Sequence, residues 1–172
     1  EGGEQTLAEV KKHSDGGLLR ADMRDEAQVE KLIADFVSAA GGLDILINNA
    51  GTLLGRVPIE GMPLEHFEDE FATNVRSTFL AARTALPYLK QSCGCIVNLG
   101  SVAGHTGGAA GSGVYASAKA AIHTLTIAMA REFGLSREQA ADQAKNEFWT
   151  DRGSVVVMNV ASMPEPEDKI YQ

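Results

Sequence analysis

The chain has 172 residues, enough for one domain with its own core and with no sign of a second. It is 44% hydrophobic and 22% charged, an ordinary balance for a globular protein. A net charge of −8 argues against nucleic acid or an anionic membrane surface as the main partner.

Residues 4–13 are good helix formers, and Asp15-Gly16-Gly17 ends them. The apolar run Leu18-Leu19-Arg20-Ala21-Asp22 predicts a short buried strand. Asp25 then caps a helix from Glu26 to Ala40, with Val29, Leu32, Ile33, Phe36 and Val37 at helical spacing and Gly41-Gly42 as its stop. Leu43–Ile47 reads as a strand running into Asn48-Asn49-Ala50-Gly51. A loop follows, and then a helix from Leu64 to Lys90, in which Pro63 suits the start and Pro87 predicts a kink or break. Cys93 and Cys95 read as small apolar residues at the start of the next strand, Ile96–Leu99. Neither they nor His13, His66, His105 and His123 have metal-ligand spacing, so no metal is expected. A Gly-rich loop, Gly104 to Gly113, leads to an Ala-rich helix over Tyr115–Phe133. Leu135–Thr150 reads as a further helix and Ser154–Ala161 as a strand.

No apolar stretch is long enough to span a membrane, and the Glu1-Gly2-Gly3 start carries no signal pattern, so the cytoplasm is the default compartment. The start lacks Met and falls within an element, which suggests that the native N-terminus is missing. Alternation of helices with continuous apolar strands, each covered on both faces, predicts a three-layer α/β fold, a doubly wound parallel sheet forming one domain over 1–172. In such sheets ligands bind beyond the carboxyl ends of the strands.

Tyr115 and Lys119 are four apart on a helix and so share a face. An ammonium beside a phenol stabilises the phenolate and makes the pair a usable proton donor or acceptor for an alcohol–carbonyl couple. Ser101, at a strand end, could donate to a substrate oxygen, or could be a plain loop or cap serine. Gly51 allows close backbone approach, and the amides of Asn48-Asn49 can satisfy loop backbone or a ribose; a simple strand-to-loop turn is the other reading.

Asn-Asn-Ala-Gly at 48–51, Asn74 in Asn-Val-Arg-Ser, Ile-Val-Asn-Leu-Gly-Ser at 96–101 and Tyr-Ala-Ser-Ala-Lys at 115–119 occur in order, and together the chain resembles the short-chain dehydrogenase/reductase family in its common subtype, over about residues 1–134. The resemblance implies a Rossmann-like sheet that holds NAD or NADP and an activity interconverting a ketone and a secondary alcohol by hydride transfer. It implies Tyr115 as general acid and base, with Lys119 lowering the tyrosine's pKa and binding the ribose hydroxyls. Ser101 would polarise the carbonyl, and Asn74 would hold a water linked to Lys119. Asp22 and Met23 match the position contacting adenine, and Asn49, Ala50 and Gly51 the loop beside the ribose and nicotinamide. It also implies a homotetramer or homodimer, in which Ala81, Ala82, Ala116, Ala120 and Ala121 permit close approach of a partner subunit; burial within the subunit is the alternative.

The family's opening strand and its Thr-Gly-x-x-x-Gly-x-Gly phosphate loop do not occur here, nor does its Pro-Gly turn. The Rossmann-like sheet is therefore expected to be incomplete, and preference for NAD or NADP is unreadable. A competing reading is a non-catalytic or truncated member that keeps the oligomer face as a scaffold. The presence of Asn74, Ser101, Tyr115 and Lys119 together favours the oxidoreductase. A flavodoxin-like module has no flavin phosphate loop to support it.

Overall fold

The computed structural model describes residues 2–92, 94–132 and 156–159. Helix α1 (Gly2–Val10) ends three residues short of the expected His13, passing into turns before Asp15-Gly16-Gly17, and Leu18 packs back towards Gly3. The strand expected at Leu18–Asp22 does not form. Among the described residues no strand pairs with it, and Leu18 and Leu19 remain 39% and 45% exposed. An apolar run becomes a strand only where a neighbour completes its hydrogen-bond ladder.

Helix α2 (Glu26–Ala40) has the expected ends. The Gln28 N–H donates to the Asp25 carboxylate at 3.0 Å, and Gly41, at φ 82°, closes the helix by donating to the Val37 carbonyl. Val29 and Ile33 turn inward, while Phe36 stays 42% exposed.

Strands β1 (Ile45–Asn48), β2 (Cys95–Asn98) and β3 (Val156–Asn159) form one parallel sheet in that order, with Asn48, Asn98 and Asn159 in register. The strand expected at Ser154–Ala161 is therefore present, whereas the helix expected at Leu135–Thr150 lies outside the described residues. Between β1 and β2 run a 3-10 turn (Ile59–Gly61), α3 (Leu64–Phe71), a π-helical turn (Ala72–Arg76) and α4 (Ser77–Ser92). The last three are the single helix expected from Leu64, and it continues through Pro87 without ending. After β2, the expected glycine loop contains a short helix, α5 (Ala103–Thr106), before α6 (Gly113–Glu132).

Helices α2, α4 and α6 meet over one face of the sheet. Ile33 from α2, Ala82, Ala85 and Leu89 from α4, and Met129 and Ala130 from α6 bury Ile96 of β2. Arg83 of α4 donates to Glu26 of α2 at the rim. Alternation places Ile45 and Ile47 on the other face, where they are 57% and 61% exposed. The doubly wound α/β class holds, with the described helices core-packed on the Leu46–Ile96 side.

At the carboxyl ends of β1 and β2 a buried polar chain replaces apolar packing. The Asn48 side-chain amide donates to Asn98 Oδ1 at 2.9 Å, and the Asn98 amide donates to Thr126 Oγ1 at 3.0 Å. Thr126 in turn donates to the Ile122 carbonyl at 2.7 Å. Two strand ends and α6 are thus tied by side chains that water cannot reach. Asn98→Leu keeps the branched shape, though its methyl groups are bulkier, and leaves the Asn48 donor buried and unpaired. The expected cost is about 1–3 kcal/mol in urea-unfolding stability; a change within about 0.5 kcal/mol would show that the chain contributes no net stability.

Candidate active site

Lys119 lies on α6, only 6% exposed, and its Nζ donates to the Leu99 carbonyl at 2.9 Å, just beyond β2. Tyr115, one helical turn earlier and half-buried, has its ring centroid 5.8 Å from that Nζ. Burial pushes the Lys119 ammonium down from its ordinary pKa, and the charge of Glu70 works in the opposite direction.

Asn74 sits in the π-helical turn and is 1% exposed. Turns of this kind insert a residue into a helix and free carbonyls. Here the Ser77 hydroxyl donates to the Thr73 carbonyl at 2.6 Å and the Thr78 hydroxyl to the Asn74 carbonyl at 3.1 Å. The Asn74 side-chain amide donates to the Thr52 carbonyl at 2.9 Å, and to the Glu70 carbonyl and Oε1, each at 3.0 Å. Its Oδ1 is buried with no protein partner. A β-carbon at Gly51 would lie 2.7 Å from that Oδ1 and 3.3 Å from Lys119 Nζ. Gly51, Asn74 and Lys119 therefore surround one point at the carboxyl end of β1. A buried acceptor without a donor, beside an ammonium with further N–H groups, suits a ligand hydroxyl. The missing side chain at Gly51 leaves the approach open.

Ser101 is half-buried; its Oγ accepts from the Ala103 N–H at 3.2 Å and its carbonyl from the Gly104 N–H at 3.0 Å. It begins the turn that carries α5 against α6. A β-carbon at Gly104 would lie 2.8 Å from the Ala120 nitrogen and 2.9 Å from the Lys119 carbonyl carbon, so glycine is what permits this backbone contact. The loop bearing Ser101 is thereby pressed onto the helix turn bearing Lys119.

Asn49 and Ala50 are exposed at the end of β1. Asp22 and Met23 lie elsewhere, before α2. The Asp22 carboxylate is held by the Arg24 backbone N–H and guanidinium, which lower its pKa to about 2, and its own N–H donates to Gln28. Met23 packs on Val29, Leu80 and Ala81. Asp22, Arg24, Asp25, Asp69, Ala72 and Arg76 line a cavity of about 450 Å³. Of the alanines expected at a subunit contact, Ala81, Ala82 and Ala116 are buried inside the chain; Ala120 and Ala121 are partly exposed.

Sequence reasoning missed Glu70, which stands four residues before Asn74 on the same helix face, a visible signal for an acid facing that amide. It also missed the Asn98–Thr126 bond, which no spacing announces.

A family profile described as short chain dehydrogenase matches residues 1–137. The chain is 37% identical over 119 residues to the 2-(R)-hydroxypropyl-CoM dehydrogenase of Xanthobacter autotrophicus, a match covering 67% of this chain and 47% of that protein. It is 34% identical over 131 residues to the 3-oxoacyl-[acyl-carrier-protein] reductase FabG of Staphylococcus aureus, covering 75% and 52%. Among solved structures, the NADH-dependent reductase A1-R′ complexed with NAD superposes with a TM-score of 0.73 at 32% identity, over 76% of this chain and 57% of that one. The chain thus belongs to the short-chain dehydrogenase family, whose named members here are oxidoreductases with a Rossmann-type fold. It spans about half the length of the curated relatives it matches.

One turn beyond Lys119, His123 lies against His105 with ring centroids 4.2 Å apart and ring planes tilted by 31°. Burial, then the neighbouring His105 and Lys119, hold His123 at about 4, below its ordinary 6.5. The folded protein therefore keeps His123 neutral where the unfolded chain has already taken up a proton. Stability contributed this way is complete above about pH 6.5 and declines as pH falls towards about 4. His123→Leu should flatten that decline in urea unfolding at about pH 7 and about pH 5; an unchanged slope would remove His123 as its source.

Proposed function

We propose that this protein interconverts a ketone and a secondary alcohol, using Tyr115 as the proton donor in reduction and the proton acceptor in oxidation. The observation that supports this most is the buried Lys119 ammonium beside the Tyr115 ring. A fixed positive charge beside the ring favours negative charge on the tyrosine oxygen as its proton is given up. Ser101, at the end of β2 and held against α6, orients and polarises the substrate oxygen. Asn74 holds a water that passes protons to Lys119.

NAD or NADP, when bound, supplies or accepts the hydride. Lys119 and Tyr115 would hold it at the nicotinamide ribose, where Gly51 leaves room and the unpartnered Asn74 Oδ1 and the Lys119 N–H groups suit a hydroxyl-rich ligand. Asn49, Ala50 and Gly51 would flank it along the end of β1, with Asp22 and Met23 towards the adenine. The substrate is a small molecule bearing a carbonyl or a secondary hydroxyl. The protein works as a homo-oligomer through α4 and α6, where Phe79 is 45% exposed and Ala120 and Ala121 reach the surface.

Tyr115→Phe keeps the ring and removes the hydroxyl. Turnover of a ketone panel with NADH or NADPH should fall by about 10²–10⁴-fold, while cofactor affinity, read by quenching and transfer fluorescence, should fall by no more than about tenfold, the worth of one ribose hydrogen bond. Turnover comparable to the unaltered protein would end the acid/base assignment. Failure of the unaltered protein, expressed from its gene, to bind either dinucleotide would end the oxidoreductase reading.

A further inference from the structure

Glu70 is only 1% exposed, and a glutamate that deep is rarely left without partners. Both of its oxygens accept. Oε1 receives the Asn74 amide at 3.0 Å, and Oε2 receives the Leu54 N–H at 3.1 Å. Around it, His66 Nε2 on the same helix lies 3.9 Å from Oε2, and Lys119 on α6 is near enough for its charge and that of Glu70 to act on each other. None of the functional assignments above uses this carboxylate.

A side-chain amide has two ends of nearly equal shape, and only its partners decide which end points where. A carboxylate can only accept, so Glu70 joins the Thr52 and Glu70 backbone carbonyls in turning the Asn74 NH₂ inward, and Oδ1 is left on the side of Gly51 and Lys119. The other oxygen fixes the loop just after Gly51 through Leu54. We propose that Glu70 is a positioning residue for this site: its carboxylate, together with two backbone carbonyls, locks the Asn74 amide, anchors the 52–54 loop through Leu54, and provides a buried counter-charge to the Lys119 ammonium. The proposal rests on the oxidoreductase reading only for its consequence in turnover; the arrangement itself is a property of the protein without cofactor.

Glu70→Gln nearly preserves shape but removes the charge and offers one acceptor oxygen to two donors. Removing the negative charge withdraws the influence that raises Lys119, so the ammonium is lost at lower pH. In protein carrying ¹³C-labelled lysine and no cofactor, the Lys119 Cε resonance of Glu70→Gln is expected to titrate at lower pH than that of the unaltered protein. Glu70→Asp keeps the charge and should return the titration towards the original. In turnover, Glu70→Gln is expected to lower kcat about tenfold with KM within about twofold, and to move the high-pH limb of kcat in the same direction as the lysine titration. The proposal is overturned if Lys119 titrates unchanged in Glu70→Gln, if Glu70→Asp shifts it as far as Glu70→Gln does, or if neither variant folds, which would make Glu70 a stability residue alone. The lysine titration needs no substrate, so absence of turnover in the unaltered protein counts against the oxidoreductase reading and not against this one.

Discussion

The arrangement depends on holding a lysine ammonium inside the protein. Removing such a charge from water is costly unless polar groups replace the solvent, and a single carbonyl does not replace it fully. Lys119 donates to Leu99 at the end of β2, lies beside Gly51 at the end of β1, and feels the charge of Glu70 in the helix between those strands. Each of these groups comes from a different element. The strand ends, the π-turn and α6 must therefore be placed together before the charge can be tolerated, and the fold is specified at this point more tightly than by its apolar core.

The buried amide chain answers that need. Ile96, Leu89 and Ala85 could accommodate small sliding of β2 beneath the helices, because apolar contacts are not directional. Asn48, Asn98 and Thr126 cannot slide without breaking hydrogen bonds that water is unable to replace. They fix the register of β1 against β2 and the position of α6 along both. The π-turn has a similar role in the third element. One extra residue in the helix carries Asn74 inward, and Ser77 and Thr78 satisfy the carbonyls that the insertion releases.

The sequence made much of this readable, for reasons that can be stated residue by residue. Helix α2 was legible at both ends because Asp25 and Gly41 are local signals that act within one turn. The strands β1 and β2 were legible as apolar runs between breakers, and Tyr115 with Lys119 as a helical pair. Leu18–Asp22 misled because apolar content does not supply a hydrogen-bonding partner. The π-turn was invisible because it alters helical phase without altering composition, and the short helix α5 was hidden inside a glycine loop whose conformation is set by its contact with α6. Glu70 looked like one more acid in an acidic helix segment, Glu65 to Glu70. Its place four residues before Asn74 sets it apart from Glu65 and Glu68, but the burial of that face is decided by elements far away in the chain.

Two glycines show how space, as well as contact, shapes the site. Gly104 lets the α5 backbone touch the α6 backbone, so the turn starting at Ser101 is braced by main chain, with no flexible side chain between. Gly51 does the reverse: by adding nothing, it leaves a gap next to Asn74 Oδ1 and Lys119 Nζ. A methyl group at the first position would push the serine loop away from the lysine helix, and at the second would fill the gap and meet the amide oxygen. Polar groups that must act on a ligand need rigid backing and an open front. Here the backing is provided at 104 and the opening at 51, by the same residue type for opposite physical reasons.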